Sequence, residues 1–122
     1  MYTKYLKSKI QGLKITEKNL RYSGSIKLDI NFIESANIKP YESVLVVNLS
    51  NGERFETYVI EGKRGSKVVS LQGGAARLGE VGDELIIMSF SYLSNEEKLL
   101  TKTVIYHKNN ILKKVIVKKV ML

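Results

Sequence analysis

The chain has 122 residues, 43% of them hydrophobic and 26% charged, which fits one globular domain spanning residues 1–122 with a core of its own. No apolar run approaches the roughly 18 residues that cross a membrane, and Met1-Tyr2-Thr3-Lys4-Tyr5-Leu6-Lys7 lacks the apolar stretch of a secretory signal, so a cytoplasmic location is expected. Cysteine is absent and His107 is the single histidine, which excludes disulfides, thiolate chemistry and a multi-histidine zinc site.

The net charge of +8 is unevenly spread: residues 1–22 carry +5, residues 23–100 carry −3 and residues 101–122 carry +6. Such a field binds nucleic acid or steers an anionic small substrate, or it is only a solvated lysine-rich surface. Composition leaves the three readings open.

In chain order, Tyr2 to Thr16 carries Ile10, Leu13 and Ile15 among lysines and reads as a strand, with Thr16-Glu17-Lys18-Asn19 as a turn. Tyr22 to Ile30 alternates, with Ile26, Leu28 and Ile30 on one face, and places Gly24-Ser25 at the start of a strand. Phe32 to Ala36 reads as one or two helical turns capped by Asp29 or Asn31 and ended before Pro40. Ser43 to Leu49 is an apolar strand, Asn51-Gly52 predicts a type I′ turn with two positive φ angles, and Arg54 to Ile60 returns as the partner strand. Alternation in that strand puts Arg54, Glu56, Tyr58 and Ile60 on one face and Phe55, Thr57 and Val59 on the other.

Gly62 to Gly65 is a basic turn and Lys67 to Leu71 a short strand. Gln72-Gly73-Gly74-Ala75-Ala76 follows, either a tight turn or the start of a helical turn whose N–H groups hold an anion. Glu84 to Tyr92 reads as a buried strand and Ser94 to Lys98 as a capped helical turn. Lys102 to Tyr106 and Ile111 to Val120 are strands separated by a turn at Asn109-Asn110. Seven or eight short, evenly spaced strands predict a mainly β domain, and closure into a β-barrel would remove its exposed edges.

The stretch with chemical potential is Arg21-Tyr22-Ser23-Gly24-Ser25-Ile26. A serine hydroxyl reaches the carbonyl just before it through a five-membered ring, and glycine there leaves that approach open and the backbone free to bend. The acyl group then moves from nitrogen to oxygen. Elimination of the ester leaves dehydroalanine, which hydrolyses to a pyruvoyl group. A Gly-Ser pair alone is weak evidence, because most are turns, and Gly65-Ser66 is a second one in this chain.

Four stretches together carry more. Ser8-Lys9-Ile10, Asn19-Leu20-Arg21-Tyr22-Ser23-Gly24-Ser25-Ile26, Asn51-Gly52-Glu53-Arg54-Phe55-Glu56-Thr57-Tyr58 and Gly73-Gly74-Ala75-Ala76, in this order and spacing, resemble the aspartate 1-decarboxylase family. The resemblance runs from Met1 to about Tyr92 and fades in the lysine-rich tail. It implies a double-psi β-barrel, assembled as a homotetramer with active sites between subunits. It implies self-cleavage at Gly24-Ser25 into residues 1–24 and 25–122, with Ser25 becoming a covalent pyruvoyl cofactor and no metal.

In that resemblance the pyruvoyl group takes L-aspartate as a Schiff base and yields β-alanine and carbon dioxide for pantothenate synthesis, with neither nucleic acid nor membrane as partner. Tyr58 returns the proton, Arg54 and Lys9 hold carboxylates, and Thr57 serves both cleavage and substrate binding. Gly73, Gly74 and Ala75 offer backbone contacts, and Tyr22 and Gln72 position the reacting groups. Gln72 stands where the family usually shows asparagine, and Gly74 where it usually shows alanine. Arg54 and Tyr58, four residues apart on a strand, share a face, whereas Thr57 points the other way unless a bulge or a site shared between subunits intervenes. The competing reading is a basic β-barrel that binds nucleic acid, against which Tyr2, Tyr5, Tyr22, Tyr41, Phe55 and Tyr58 are scattered without an evident stacking platform.

Overall fold

The computed structural model describes residues 1–94, 98–107 and 109–121. Nine strands form in chain order: β1 (Thr3–Lys14), β2 (Glu17–Asn19), β3 (Ser25–Asp29), β4 (Ser43–Asn48), β5 (Arg54–Gly62), β6 (Val69–Gln72), β7 (Glu84–Leu93), β8 (Lys98–His107) and β9 (Ile111–Met121). A short helix, α1 (Ile30–Ser35), follows β3, and a 3-10 helix (Gly73–Leu78) follows β6. The mainly β expectation holds. Of the helical turn expected at Ser94 to Lys98, residues 95–97 lie outside the described ones, and Lys98 opens β8.

The strands hydrogen-bond in the order β2-β6-β3-β5-β4-β7-β1-β8-β9. Among the described residues no ladder joins the two ends, so hydrogen bonding does not close the sheet as a barrel requires. Chain continuity does part of that work. Only residues 15 and 16 separate β1 from β2, yet β2 lies at one edge of the sheet and β1 six places along it. A flat sheet would hold those strands roughly 29 Å apart at about 4.8 Å per strand. The sheet must therefore curl until β1 and β2 meet.

Inside the curl lie Ile10, Leu13, Ile26, Leu28, Val44, Val46, Val59, Leu71, Leu85 and Ile87, all buried. They come from the inward positions of six strands, and each such side chain contributes about 1.5–3 kcal/mol on burial.

Two turn expectations are corrected. Glu17-Lys18-Asn19 is strand β2, paired in parallel with β6 from Glu17↔Ser70 to Asn19↔Gln72. Thr16 draws it there: its N–H donates to the Val69 carbonyl at 2.8 Å, and its Oγ1 accepts from the Val69 N–H at 2.9 Å. At Asn51-Gly52 only Gly52 has positive φ, +79°. The loop is longer than a two-residue turn, because the Asn48 N–H donates to the Glu53 carbonyl at 2.8 Å. Asn51 Oδ1 accepts from the Glu53 N–H at 2.8 Å, a local bond that holds Asn51 without a left-handed backbone. Paired positive φ occurs instead at Asn109 (54°) and Asn110 (55°), between β8 and β9.

Asp29 organises the junction of β3 with α1 and the loop between β5 and β6. Its buried carboxylate caps α1 through the Asn31 N–H at 2.8 Å and accepts from the Gly65 and Lys67 N–H groups at 3.2 and 2.8 Å. The base of the β8–β9 hairpin docks nearby. Asn110 bonds both the N–H and the carbonyl of Lys14, at 2.8 and 3.1 Å. Tyr106 sets its ring edge-on to Phe32 at 4.8 Å and its hydroxyl 2.7 Å from Ser35 Oγ. Burial pushes the Tyr106 phenol pKa up, the Ser35 bond opposes that, and the Asp29 charge adds to it.

Candidate active site

The site begins where β3 begins. Ser25 pairs with Gln72 across the antiparallel β3–β6 ladder, and both side chains are buried, at 1% and 3% exposure. The Ser25 hydroxyl has two acceptors, Gln72 Oε1 and the Ser23 carbonyl, each at 3.1 Å. One proton serves both, so it lies on the side of Ser23 and Gln72 and leaves oxygen lone pairs for another direction. A side-chain amide orients such a hydroxyl but is too weak a base to deprotonate it.

Gly65-Ser66 is the contrast within the same chain. Gly65 has φ +82° in an exposed loop. Ser66 Oγ donates to the Lys63 carbonyl at 2.6 Å and accepts from the Val68 N–H at 3.3 Å. That hydroxyl closes its own turn and faces solvent, as most Gly-Ser pairs do.

Beside Ser25 the backbone is packed too tightly for a side chain. Gly73 opens the 3-10 helix with φ +67°, and a Cβ there would lie 2.6 Å from the Gly24 nitrogen, 2.6 Å from the Tyr22 carbonyl oxygen and 2.7 Å from Gly24 Cα. Gly73 is therefore a cradle for the segment Tyr22 to Gly24, and of the two readings of this stretch the helical turn is the one that forms. Tyr22 contributes its carbonyl to this contact, while its ring is exposed. Gly24 differs from the sequence argument: its φ is not positive and a Cβ on it would meet nothing within 4 Å. In the uncut chain the permissive glycine is Gly73. Gly74 also has open space at Cβ, so the alanine expected there from the resemblance would fit.

The parallel β3–β5 ladder runs from Ile26↔Val59 to Asp29↔Gly62. Ser25 on β3 and Tyr58 on β5 each stand one residue before the first pair of that ladder. Neither ladder of β5 shows a register shift, so Thr57 lies on the strand face opposite Tyr58 with no bulge to turn it. Arg54, at the start of β5, is exposed on the Tyr58 face and has no ion pair among the described residues.

Lys9 is not brought to this cluster. It aligns with Met88 on β7, which aligns with Leu45 on β4, which aligns with Glu56 on β5. Three strand spacings, roughly 14 Å, separate Lys9 from β5 along a curved outer surface. Sequence reasoning missed one participant, the Ser23 carbonyl, because a backbone acceptor carries no residue-type signal.

The fold is a single mainly β domain, and its candidate site is built around the Ser25 hydroxyl held by Gln72 and the Ser23 carbonyl. The sequence profile for aspartate decarboxylase matches residues 1–113, past Tyr92 and into β9. A Thermotoga petrophila protein named aspartate 1-decarboxylase is 50% identical over 106 residues, 87% of this chain and 91% of its own. Proteins of that name from Caldicellulosiruptor saccharolyticus and Thermosipho melanesiensis are 54% and 46% identical over 97 and 105 residues. They cover 80% and 86% of this chain and 76% and 88% of their own. The chain belongs to the aspartate decarboxylase family. That membership favours the enzyme over the nucleic-acid-binding barrel.

Proposed function

We propose that this chain decarboxylates L-aspartate to β-alanine and carbon dioxide for pantothenate synthesis, using a pyruvoyl group that it makes from Ser25. The observation that carries the reading is the buried Ser25 hydroxyl, aimed by Gln72 and Ser23 and seated on the Gly73 cradle. In maturation, Ser25 Oγ attacks the Gly24 carbonyl carbon, the Gly24–Ser25 C–N bond breaks and the nitrogen takes a proton, leaving an ester. Loss of the Ser25 Cα proton expels the Gly24 carboxylate and leaves dehydroalanine. Water then replaces the nitrogen, which departs as ammonia. In this reading Thr57 steadies the carbonyl under attack.

The donor set fits the group. A small ketone needs no more room than the serine it replaces, and Gly73 keeps the surrounding backbone clear. When present, the pyruvoyl carbonyl supplies the electron sink that loss of carbon dioxide requires. Arg54 holds a substrate carboxylate with its planar fork of two charge-assisted hydrogen bonds. Tyr58 donates its phenolic proton to the carbon that has lost carbon dioxide. The backbone of Gly73, Gly74 and Ala75 borders the substrate. The distance of Lys9 from β5 in one chain supports a homotetramer in which a neighbouring subunit brings Lys9 to the site. No described helix is long and apolar enough to cross a membrane.

Intact-mass analysis tests the reading. The expected products are residues 1–24 and a fragment beginning at position 25 that resists N-terminal sequencing, because a ketone has replaced the amine. A chain still whole after prolonged warming, or one cut at Ser66, overturns it. Gln72→Ala is expected to slow cleavage on the order of a hundredfold, the scale of a misoriented reacting group, and to slow turnover by already matured protein far less. Following the two rates separately in one preparation checks this. Equal losses would make Gln72 part of the substrate site instead.

A further inference from the structure

Tyr41 has no place in the chemistry described so far, yet the chain holds it at a cost. Its φ is +68°, a left-handed conformation that a bulky side chain resists and that asparagine or glycine would take with little strain. The surroundings enforce it. Pro40 precedes it with a rigid ring. The Tyr41 N–H donates to the Val59 carbonyl at 2.7 Å, and the Val59 N–H donates to the Glu42 carbonyl at 3.1 Å. Lys7 grips the Glu42 carboxylate with bonds of 2.9 and 2.8 Å, and Glu42 Oε1 also accepts from the Lys39 N–H at 3.2 Å. The loop is thus fastened to β5 at the residue next to Tyr58.

What this fastening delivers is a ring. Tyr41 lies nearly parallel to Tyr58, with centroids 5.9 Å apart and planes 17° from each other, in the range where aromatic pairs attract. Most of Tyr41 is exposed, at 76%, so burial of its own surface does not account for its position. A strained, doubly anchored backbone that presents one ring to another is a device for holding the second ring.

We infer that Tyr41 is a positioning residue for Tyr58: its ring fixes the plane of the Tyr58 phenol and so the direction from which the proton returns to substrate. The inference rests on the assignment of Tyr58 as proton donor. The chemistry offers a direct readout. Aspartate gains one hydrogen at the carbon that loses carbon dioxide. In D2O a fixed donor on one side delivers deuterium to one face and gives one enantiomer of singly deuterated β-alanine. A loosened donor lets solvent compete at both faces.

The test compares matured parent, Tyr41→Phe, Tyr41→Gly, Tyr58→Phe and the Tyr41→Gly/Tyr58→Phe double variant, measuring kcat, KM, cleavage rate and the enantiomeric composition of β-alanine made in D2O. Glycine removes the ring while accepting the left-handed backbone, so the fold is expected to survive. Tyr41→Gly should lower kcat on the order of tenfold, a part of what a general acid contributes, scramble the deuterium, and leave KM and cleavage as in the parent. Tyr41→Phe keeps the stack and should restore both kcat and stereochemistry. In the Tyr58→Phe background the Tyr41→Gly loss should vanish. Parental kcat and a single enantiomer in Tyr41→Gly, with Tyr58→Phe inactive, overturns the role of Tyr41 alone. Equal losses in both backgrounds overturn it too. Full activity in Tyr58→Phe removes the proton-donor assignment, and the role of Tyr41 falls with it.

Discussion

Ser25→Ala is expected to remain one 122-residue chain and to release no carbon dioxide from aspartate. In the proposed maturation, the substitution removes the atom that attacks the Gly24 carbonyl and whose departure creates the new ketone. No other hydroxyl reaches that carbonyl through a five-membered ring. Gln72 and Ser23 present acceptors to Ser25, not nucleophiles, and cysteine is absent from the chain. The fold itself should survive, because alanine fits where serine sat. The cost is the unpaired Gln72 amide oxygen, about 1–3 kcal/mol for a buried polar group that loses its partner. Intact mass, carbon dioxide release and thermal unfolding are measured on the same preparation. A folded Ser25→Ala protein that decarboxylates aspartate would remove Ser25 from the chemistry.

Gly73→Ala is expected to lower the cleavage rate at least on the order of a hundredfold, as a displaced reacting centre does. Two effects combine. Alanine at φ +67° is strained by roughly 1–3 kcal/mol. Its Cβ would also lie 2.6 to 2.7 Å from three backbone atoms of Tyr22 and Gly24, and backbone cannot swing aside as a side-chain tip does. Either the 3-10 helix or the scissile segment must move, and each movement breaks the alignment of Ser25 with the Gly24 carbonyl. Gly74→Ala is the control. Its Cβ meets nothing within 4 Å and its φ is not positive, so cleavage should proceed at the parental rate. Cleavage time courses of the two variants, followed by intact mass, decide the matter. Equal rates in Gly73→Ala and the parent would show that the cradle does not control the geometry of attack.

Much of the architecture follows from local pattern. Alternation marks β3 and β5 because one face of each meets the core, and that burial leaves a period of two in the residues, while β4 and β7 show as continuous apolar runs. The cap at Asp29 follows from a side-chain acceptor, a property of a single residue, whereas α1 ends at Ser35, ahead of Pro40, where Asn37 takes a left-handed φ of 56° and the Ile38 N–H returns to the Ile33 carbonyl. Gly24-Ser25 stood out through its company in four spaced motifs, since the dipeptide itself is no different from Gly65-Ser66.

Tertiary structure decided the rest, because the determining contacts join residues far apart in the chain. Glu17-Lys18-Asn19 carries turn-forming residues, but Thr16 binds Val69 on both sides and β6 supplies a ladder. Asn51-Gly52 carries the strongest short hairpin signal, yet the loop is set by the Asn48–Glu53 pairing. Which of the two serines is buried beside an acceptor depends on Gln72, 47 residues from Ser25. The need for glycine at position 73 comes from the backbone of Tyr22 and Gly24, and the freedom of Gly24 from the empty space around it. Nothing local marks Tyr41 as left-handed. Only the bonds from its loop to β5 and the Lys7–Glu42 pair can impose a conformation that its own side chain opposes.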